Sequence, residues 1–428
     1  MTVGRGRSVL AAGLAVIVAA CAGITPSPDA LRVTDSPGQP ATARPTIVPV
    51  PGHEVYGFLP YWEMDDSIVE HVAATDLTTL GLFSVTHRRD GELDDGQNGY
   101  RAIAGDVGRR LIRAAHDRGA RVELVYTSFG PGKNRQFYTE PEAQARWIEV
   151  LVDLAEEHGF DGVNVDVERL PLEHVLDFGS FVGRLRMALR ARMPEAQVSV
   201  ATQANELGAG MAAAAAANGA DRIFLMGYDY HWAGSDPGAS APIDRLDGDA
   251  RDLVWSLDLY AALGVPVERT ILGLPLYGMT WPAIGPGIGS PSTGRGDAWV
   301  PRRNLAVLAD PAFEPTLEPI ESVEFYAVPM PGAVPVSPVG GASPVASASP
   351  VDGAPPVGGA SPDASPATEP PGWNAVYYDS PRSLTPKLGL ADERGLAGAG
   401  FWAIGYERGL PGYTELIAAF RAGDLKGP

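Results

Sequence analysis

The chain has 428 residues, of which 45% are hydrophobic, enough apolar material for one large domain or two ordinary ones. Its net charge of −19 and isoelectric point near 4.8 argue against a nucleic acid or an anionic membrane surface as a partner, because neither attracts an acidic protein. The acidity is typical of a solvated surface.

The first twenty residues have the pattern of an export signal. Arg5 and Arg7 form a short positive region, and residues 9–20 are apolar and small, too short to span a bilayer comfortably. Cys21 follows the run VAA and is the only cysteine of the sequence, so no intramolecular disulfide can form. This run resembles the bacterial lipobox, which implies that residues 1–20 are a lipoprotein signal peptide and that Cys21 is lipidated. Cleavage at an ordinary Ala-x-Ala site, with an incidental cysteine, is the alternative.

If Cys21 is lipidated, the protein is anchored to the outer face of the bacterial cell membrane, and the lipid is its only membrane contact; with ordinary cleavage it is secreted. Residues 21–52 are rich in Pro, Thr, Ala and Ser and have no apolar period. This composition predicts a flexible tether between the anchor and a folded domain over residues 53–425.

The predicted folded region alternates between two sequence patterns, one typical of strands and one typical of helices. Eight short runs rich in β-branched and aromatic residues predict strands, at 55–62, 77–87, 121–129, 160–168, 197–202, 222–230, 269–278 and 398–406. Apolar residues at helical spacing predict helices between them, most legibly at 140–158, 172–193, 249–263 and 414–422. Strands that alternate with helices indicate a parallel sheet, and eight such units predict an α/β fold, the closed (β/α)8 TIM barrel.

A long gap separates the seventh and eighth predicted strands. Its central tract, residues 329–371, has no aromatic residue, Lys or Arg and repeats the sequence PVGGASP, which predicts disorder. The flanks 321–328 and 373–380 both have strand patterns. We expect them to form a hairpin in a small α+β insertion, with the tract at its tip. If the tract instead linked two domains, residues 372–428 would be too few to fold alone and the barrel would lack a strand.

The run FDGVNVDVE contains the candidate catalytic residues. Its valines alternate with Asn164, Asp166 and Glu168, so an extended strand presents valine on one face and an amide and two carboxyl groups on the other. Burying such a row is unfavourable by several kcal/mol unless each group finds partners, and acid/base chemistry on a sugar is the use we expect. A structural polar network within the barrel or a cation site is the alternative. The sequence has no second cluster with ligand spacing, so we expect no metal and no cofactor.

Four segments in order resemble glycoside hydrolase family 18, the chitinase family. DGVNVDVE (161–168) resembles the DGxDxDxE motif of strand four, MGYDYHW (226–232) the MxYD of strand six, LGLPLYG (272–278) the G-x-P-x-Y-G of strand seven, and GFWAIGYE (400–407) the tryptophan segment of strand eight. YGFLPYW at the start resembles the first strand. The segments VNVDVE, YDYHW and YYDSPRSLTPK are most similar to the branch that contains spore-cortex-lytic and other bacterial wall enzymes.

The resemblance implies a mechanism in which the 2-acetamido group of the substrate is the nucleophile. Glu168 would be the general acid and then the base, Asp166 would orient the acetamido N–H, Tyr228 would bind the acetyl oxygen and Asp229 would position the sugar and tune Glu168. Four further residues would contact or support the sugar: Trp402 as its apolar floor, Asn164, Tyr277 and Trp62.

Asn164 stands where most chitinases have Asp, and we expect it to hydrogen-bond Asp166 and to leave Asp166 ionised more of the time. The resemblance predicts a monomeric retaining hydrolase of β-1,4 bonds after N-acetylglucosamine, in peptidoglycan or chitin-like polymers. The alternative is a non-catalytic carbohydrate-binding lectin, although lectin-like members typically lack the glutamate at position 168.

Overall fold

The computed structural model describes residues 52–330 and 372–425. Cys21, the predicted signal peptide, all but the last residue of the predicted tether, and most of the tract predicted at 329–371 lie outside these residues. The strands, in chain order, are β1 Glu54–Pro60, β2 Thr79–Val85, β3 Arg121–Phe129, β4 Gly162–Glu168, β5 Gln197–Gln203, β6 Arg222–Met226, β7 Thr270–Pro275, β8 Gly278–Ala283, β9 Asp297–Trp299, β10 Thr316–Glu318, β11 Val323–Pro329, β12 Trp373–Tyr378 and β13 Gly398–Trp402.

The α-helices surround these strands. In chain order they are α1 Asp66–Ala74, α2 Asn98–Ile103, α3 Asp106–Asp117, α4 Pro131–Tyr138, α5 Pro141–His158, α6 Val175–Arg192, α7 Glu206–Ala217, α8 Leu253–Ala262, α9 Leu305–Leu308, α10 Pro381–Glu393 and α11 Tyr413–Ala422. Within the described ranges, no helix is both long enough and apolar enough to span a bilayer.

The predicted barrel is confirmed. Strands β1 to β7 and β13 form a closed parallel barrel in which β13 lies between β7 and β1, with Phe58 opposite Trp402 in the last pair. All eight predicted strands are present. Five of them end earlier than expected, because the chain leaves the barrel ladder there: β1 at Pro60, β2 at Val85, β6 at Met226, β7 at Pro275 and β13 at Trp402.

The barrel strands alternate as their sequences predict. On β4, Val163, Val165 and Val167 face the outer helices and are buried in the main apolar core. The inner faces of several strands supply a second apolar cluster that fills the barrel, made of Tyr56, Phe58, Phe83, Val125, Ala201, Phe224, Met226 and Ile271. Parallel strands buried on both faces in this way are typical of the (β/α)8 architecture.

The insertion between β7 and β13 is a five-stranded antiparallel sheet in the order β10-β11-β12-β8-β9. The expected hairpin is its centre, where β11 and β12 pair from Glu324 and Tyr378 to Pro329 and Trp373. The backbone N–H of Met330 donates to the carbonyl of Gly372 at 2.9 Å, so the strand pairing extends two residues into the tract predicted at 329–371. The sequence did not indicate β8, β9 and β10, which are short or continue directly from a barrel strand.

The predicted helices are present with shifted starts. Helix α5 ends as expected at Gly159, whose positive φ of 80° closes the helix in a left-handed conformation that glycine adopts without strain. Helix α8 begins at Leu253 and not at 249, since the side chain of Asp252 accepts a hydrogen bond from the N–H of Trp255 and caps the helix there.

Candidate active site

A cleft of about 730 Å³ opens at the carboxyl ends of the barrel strands. Seven of the eight barrel residues predicted from the sequence line it: Trp62, Asp166, Glu168, Tyr228, Asp229, Tyr277 and Trp402. Parallel barrel strands all point their carboxyl ends toward one rim, so residues far apart in the chain meet there. Within residues 52–330 and 372–425, no three His, Cys, Asp or Glu side chains have the arrangement of a metal site.

Strand β4 positions the two central carboxyl groups. Asp166 is buried with 5% exposure, and its Oδ1 atom has no hydrogen-bond partner among the described residues. Glu168 is the last residue of the strand, and its Oε2 atom accepts a hydrogen bond from the side-chain amide of Gln203 at 3.3 Å. Its backbone carbonyl accepts from the amide of Asn134 at 2.7 Å, which fixes the end of the strand.

Burial changes the acidity of both groups. It raises the pKa of Asp166 well above its ordinary value, and the neighbouring Glu168 raises it further. Burial also raises the pKa of Glu168, with a second contribution from the charge of Asp229. The cleft therefore favours protonated carboxyl groups, which is what a general acid requires.

Asp229 is held in an uncommon backbone conformation. Its φ is 64°, in the left-handed region, where aspartate is found more often than most residues. Its N–H donates to Ser240 Oγ at 3.1 Å, its carboxylate accepts from the Tyr277 hydroxyl, and Ser240 Oγ donates to that hydroxyl at 3.1 Å. These three bonds direct the carboxyl group toward the cleft. Burial raises the pKa of Asp229, and the Tyr277 hydrogen bond partly opposes this.

Tyr228 lies close to all three carboxyl groups. Burial raises its pKa well above the ordinary value, and the charges of Asp166, Asp229 and Glu168 raise it further, so the phenol remains a proton donor. Its ring meets that of Tyr277 edge to face, with 6.2 Å between the centroids.

Trp402 and Trp62 form an aromatic wall. Trp402 makes edge-to-face contacts with Phe83 at 4.8 Å and with Trp62 at 6.3 Å between ring centroids. The indole N–H of Trp62 donates to the Tyr406 hydroxyl at 3.0 Å, while 45% of the residue remains exposed. Rings held in this way offer flat apolar faces of the kind that stack on sugars.

Asn164 lies beneath the cleft and does not line it. Asn164 is fully buried, and its side-chain amide N–H donates to Ser199 Oγ at 2.7 Å. The expected hydrogen bond to Asp166 is absent from the described residues: the amide of Asn164 is directed to Ser199, its register partner on β5, and its Oδ1 atom has no partner there. That Asn164 leaves Asp166 more ionised than an aspartate at position 164 would stays a prediction, although burial raises the pKa of Asp166.

Four functional candidates were not predicted. Glu123 is buried on the inner face of β3 and accepts hydrogen bonds from Ser199 and, at 2.8 Å, from Tyr56. Phe129, Lys133 and Gln203 line the cleft. Three signals could have identified them: an acid within the apolar strand β3, the position of Phe129 and Gln203 at the ends of β3 and β5, and the position of Lys133 in the helix that follows β3.

Comparison with known proteins agrees with this geometry. The family model described as glycosyl hydrolases family 18 matches residues 124–407, about two thirds of the chain. The cortical fragment-lytic enzyme of Bacillus subtilis (strain 168) is 25% identical over 215 residues, 49% of this chain and 47% of the relative. The chain thus spans at most about half the length of the curated relatives that it matches.

Two solved structures share the fold. The spore cortex-lytic enzyme SleL of Bacillus cereus matches with a TM-score of 0.62 at 17% identity, over 86% of this chain and 74% of that one. The family 18 chitinase of Cycas revoluta, solved in complex with (GlcNAc)3, matches with a TM-score of 0.64 at 17% identity, over 87% of this chain and 100% of that one. With the sequence motifs at the rim of a closed barrel and the family model spanning most of that barrel, the chain belongs to glycoside hydrolase family 18.

Proposed function

We propose that this protein is a retaining glycoside hydrolase that cleaves β-1,4 bonds after N-acetylglucosamine, in peptidoglycan or chitin-like polymers, with the acetamido group of the substrate as nucleophile. The observation that carries the proposal is the inner face of β4. It brings a buried carboxyl group, Asp166, and a cleft-lining one, Glu168, to the same rim as Tyr228 and Asp229.

Glu168 is the proposed general acid and base. Because burial raises its pKa, Glu168 holds its proton to a higher pH than an exposed glutamate would, and it can give this proton to the glycosidic oxygen as the bond to the leaving sugar breaks. The acetamido oxygen attacks the anomeric carbon from the opposite side, forming a cyclic intermediate. Glu168, now ionised, then takes a proton from the water that opens this intermediate, and two inversions give net retention.

Asp166 and Tyr228 are the proposed partners of the acetamido group. Asp166 Oδ1 is buried without a hydrogen-bond partner among the described residues, so an acetamido N–H would satisfy it. The Tyr228 phenol, kept protonated by its surroundings, would donate to the acetyl oxygen. Asp229 is bound to Tyr277 and would position the sugar, while Trp402 would form its apolar floor.

Two solved structures that share the fold support this substrate class. One solved structure is named as a spore cortex-lytic enzyme, and the other holds an N-acetylglucosamine trimer. Both have the barrel fold seen here. We therefore propose an N-acetylglucosamine polysaccharide as the substrate. From the sequence resemblance we further propose that the protein acts as a monomer, without a metal or cofactor.

The test compares the wild type with Glu168→Gln on chitin tetraose and on purified peptidoglycan, with products identified by mass spectrometry and their anomeric configuration by NMR. Loss of the proton donor should lower the rate by about 10²- to 10⁴-fold while oligosaccharide binding persists. Glu173→Gln, an exposed glutamate five residues further on, is the matched control and should behave as the wild type.

Two further results bear on the mechanism. A thiazoline analogue of the cyclic intermediate should inhibit the wild type, and cellulose oligomers, which lack the acetamide, should not be cleaved. An inverted product, or efficient hydrolysis of cellulose oligomers, would overturn the mechanism. Binding without cleavage of either polymer would instead favour the lectin alternative, which the presence of Glu168 argues against.

We also propose that the protein is a lipoprotein on the outer face of the cell membrane. The support is the single Cys21 after a signal-like segment, which lies outside the described residues. Phase partitioning of the wild type and of Cys21→Ser tests this proposal.

A further inference from the structure

The cleft contains an unpaired cation. Among the described residues that line the cleft, Lys133 is the only Lys or Arg, and it forms no ion pair with any carboxylate of residues 52–330 and 372–425. Its ammonium group donates to Thr86 Oγ1 at 2.6 Å, and Thr86 in turn donates to the carbonyl of Thr127 at 2.6 Å. An ammonium group has three hydrogens, so further donors of Lys133 remain for a ligand.

The local structure does not favour a cation at this position. Lys133 is the third residue of α4, and the N-terminal end of a helix carries a partial positive charge that disfavours Lys. Burial lowers the pKa of Lys133 to about 8, with only Asp94 acting in the opposite direction. The side chain is still charged at neutral pH, so its burial without an ion-pair partner is unfavourable for the free protein.

The position of Lys133 relative to Glu168 is set by the backbone. The N–H of Gly130, directly before α4, donates to the Glu168 carbonyl at 3.2 Å, and Asn134 donates to the same carbonyl. Phe129 is the register partner of Glu168 on β3, is 47% exposed, and stacks on Phe83 with 6.4 Å between ring centroids. An exposed aromatic ring and a cation thus flank the proposed acid on the β3 side.

The acids of the cleft repel an anion less than exposed acids would. Burial raises the pKa values of Asp166, Glu168 and Asp229, so each group holds its proton to a higher pH than an exposed carboxyl group. The repulsion that three ionised carboxylates would exert on an anionic ligand is correspondingly smaller.

We propose that Phe129, Lys133 and Thr86 form a subsite that binds a carboxylate on the sugar next to the reacting N-acetylglucosamine. The proposal rests on the proposed function and narrows its substrate class. Chitin has no carboxylate. A chain in which N-acetylglucosamine alternates with its 3-O-lactyl ether, N-acetylmuramic acid, has one on both neighbours of the reacting sugar. The preferred substrate is therefore the carboxylate-bearing glycan.

Such a carboxylate has two sources in wall polymers. It is the free lactyl carboxylate of a peptide-free strand, or a carboxylate of a peptide attached to the lactyl group. The chemistry at Lys133 is the same, but the first source requires that an amidase has already removed the peptide. The experiment includes both strands.

The experiment measures kcat and KM on three substrates of equal sugar length: chitin tetraose, a peptide-free tetrasaccharide of alternating N-acetylglucosamine and N-acetylmuramic acid, and the same tetrasaccharide with its peptides. Lys133→Met keeps the alkyl stem without the charge, and Lys133→Arg keeps the charge. Arg135→Met is the matched control, since it removes a charge from the same helix but an exposed one that pairs with Glu173 at 3.4 Å.

The expected result is that Lys133→Met lowers kcat/KM for a muramic-acid substrate, relative to that for chitin tetraose, by about tenfold or more, as for loss of a hydrogen bond to a charged group. The loss should appear mainly in KM, Lys133→Arg should restore most of the ratio, and Arg135→Met should leave it unchanged. The glycan, with or without peptides, that shows the larger loss of kcat/KM identifies the source of the carboxylate.

If Lys133→Met leaves the ratio of kcat/KM for the muramic-acid substrate to kcat/KM for chitin tetraose unchanged, with and without peptides, this inference is overturned while the proposed function stands. A wild type that cleaves none of the three substrates would instead overturn the proposed function. Reduction of the lactyl carboxyl to an alcohol provides a second measurement that needs no variant: it should lower kcat/KM of the wild type but hardly change that of Lys133→Met.

Discussion

At the scale of single residues, burial acts on every carboxyl group of the cleft in the same direction. It raises the pKa values of Asp166, Glu168 and Asp229, and the hydrogen bond from Tyr277 partly opposes the effect at Asp229. Each group therefore holds its proton to a higher pH than an exposed carboxyl group would. Because Glu168 raises the pKa of Asp166 and Asp229 raises that of Glu168, a change to one carboxyl group alters the protonation of the others.

The first prediction concerns this coupling. Asp166→Ala should lower kcat nearly as far as Glu168→Gln, by about 10²-fold or more, because the acid acts only when the acetamido nucleophile is oriented. The double variant should be little slower than either single variant, as measured on chitin tetraose. If the two effects multiply in the double variant, the residues act independently and the proposed pairing fails.

The second prediction concerns Glu123, beneath the cleft. Burial raises its pKa to about 7 from 4.5, although hydrogen bonds from Ser199 and Tyr56 oppose the shift. An acid whose folded-state pKa is raised holds its proton more tightly in the folded chain. Its contribution to stability is complete below pH 4.5 and is lost as the pH rises to about 7.

Urea unfolding at several pH values measures this effect. Glu123→Gln mimics the protonated acid, so the free energy of unfolding of the variant, relative to the wild type, should rise by up to about 3 kcal/mol between pH 4.5 and 8. Other titrating groups cancel in this difference. A difference that is constant with pH would show that Glu123 keeps an ordinary pKa.

At the scale of elements, local patterns located the barrel strands but not where each one stops. Strand β6 was expected to continue to Tyr230, yet it ends at Met226, and three residues further on Asp229 adopts a left-handed conformation that a strand cannot include. Strand β8 pairs with β12, whose partner residues lie about 90 positions further along the chain. No local pattern specifies such a pairing, so the five-stranded sheet was only partly predicted.

The third prediction concerns the hairpin of β11 and β12. Because Met330 and Gly372 are joined by a backbone hydrogen bond, a four-residue turn should replace residues 331–371 without disturbing the strands. Closing a shorter loop is entropically easier by roughly 0.6 kcal/mol per halving, so the melting temperature should stay within a few degrees or rise. Activity should be unchanged.

The matched control for this deletion also removes residues 327–329 and 373–375, which pair with each other in the sheet. It should melt well below the wild type, since Ala375 is buried and also pairs with Trp281. A melting temperature lowered by more than about 10 °C in the first deletion would show that the tract stabilises the fold.

At the scale of the whole molecule, the barrel and most of the cleft were predictable because they rest on repeated signals. Eight alternations specify the barrel, and the motifs of β4, β6, β7 and β13 place Glu168, Asp229, Tyr277 and Trp402 on one rim. Glu123 and Lys133 belong to no motif. Their roles depend on which side chains of neighbouring strands meet them, and that register is a property of the folded barrel.

The fourth prediction concerns the anchor at Cys21. If the cysteine is lipidated, the mature wild-type protein should partition into the detergent phase, and Cys21→Ser should be released to the aqueous phase or remain unprocessed. Phase partitioning followed by mass spectrometry of the N-terminal peptide measures both. Equal partitioning of the two proteins, together with an N-terminal peptide of the wild type that carries no lipid, would contradict lipidation.

The neighbouring positions of β1 and β13 affect how the chain can acquire its structure during synthesis. The ribosome completes β1 near residue 60, but its partner β13 emerges only after residue 402. Until then β1 and β7 each present an unpaired edge, which is the kind of surface that recruits strands from other chains. A truncated or stalled product would therefore be prone to aggregation and proteolysis, and we expect holding chaperones to be needed until the last strand arrives.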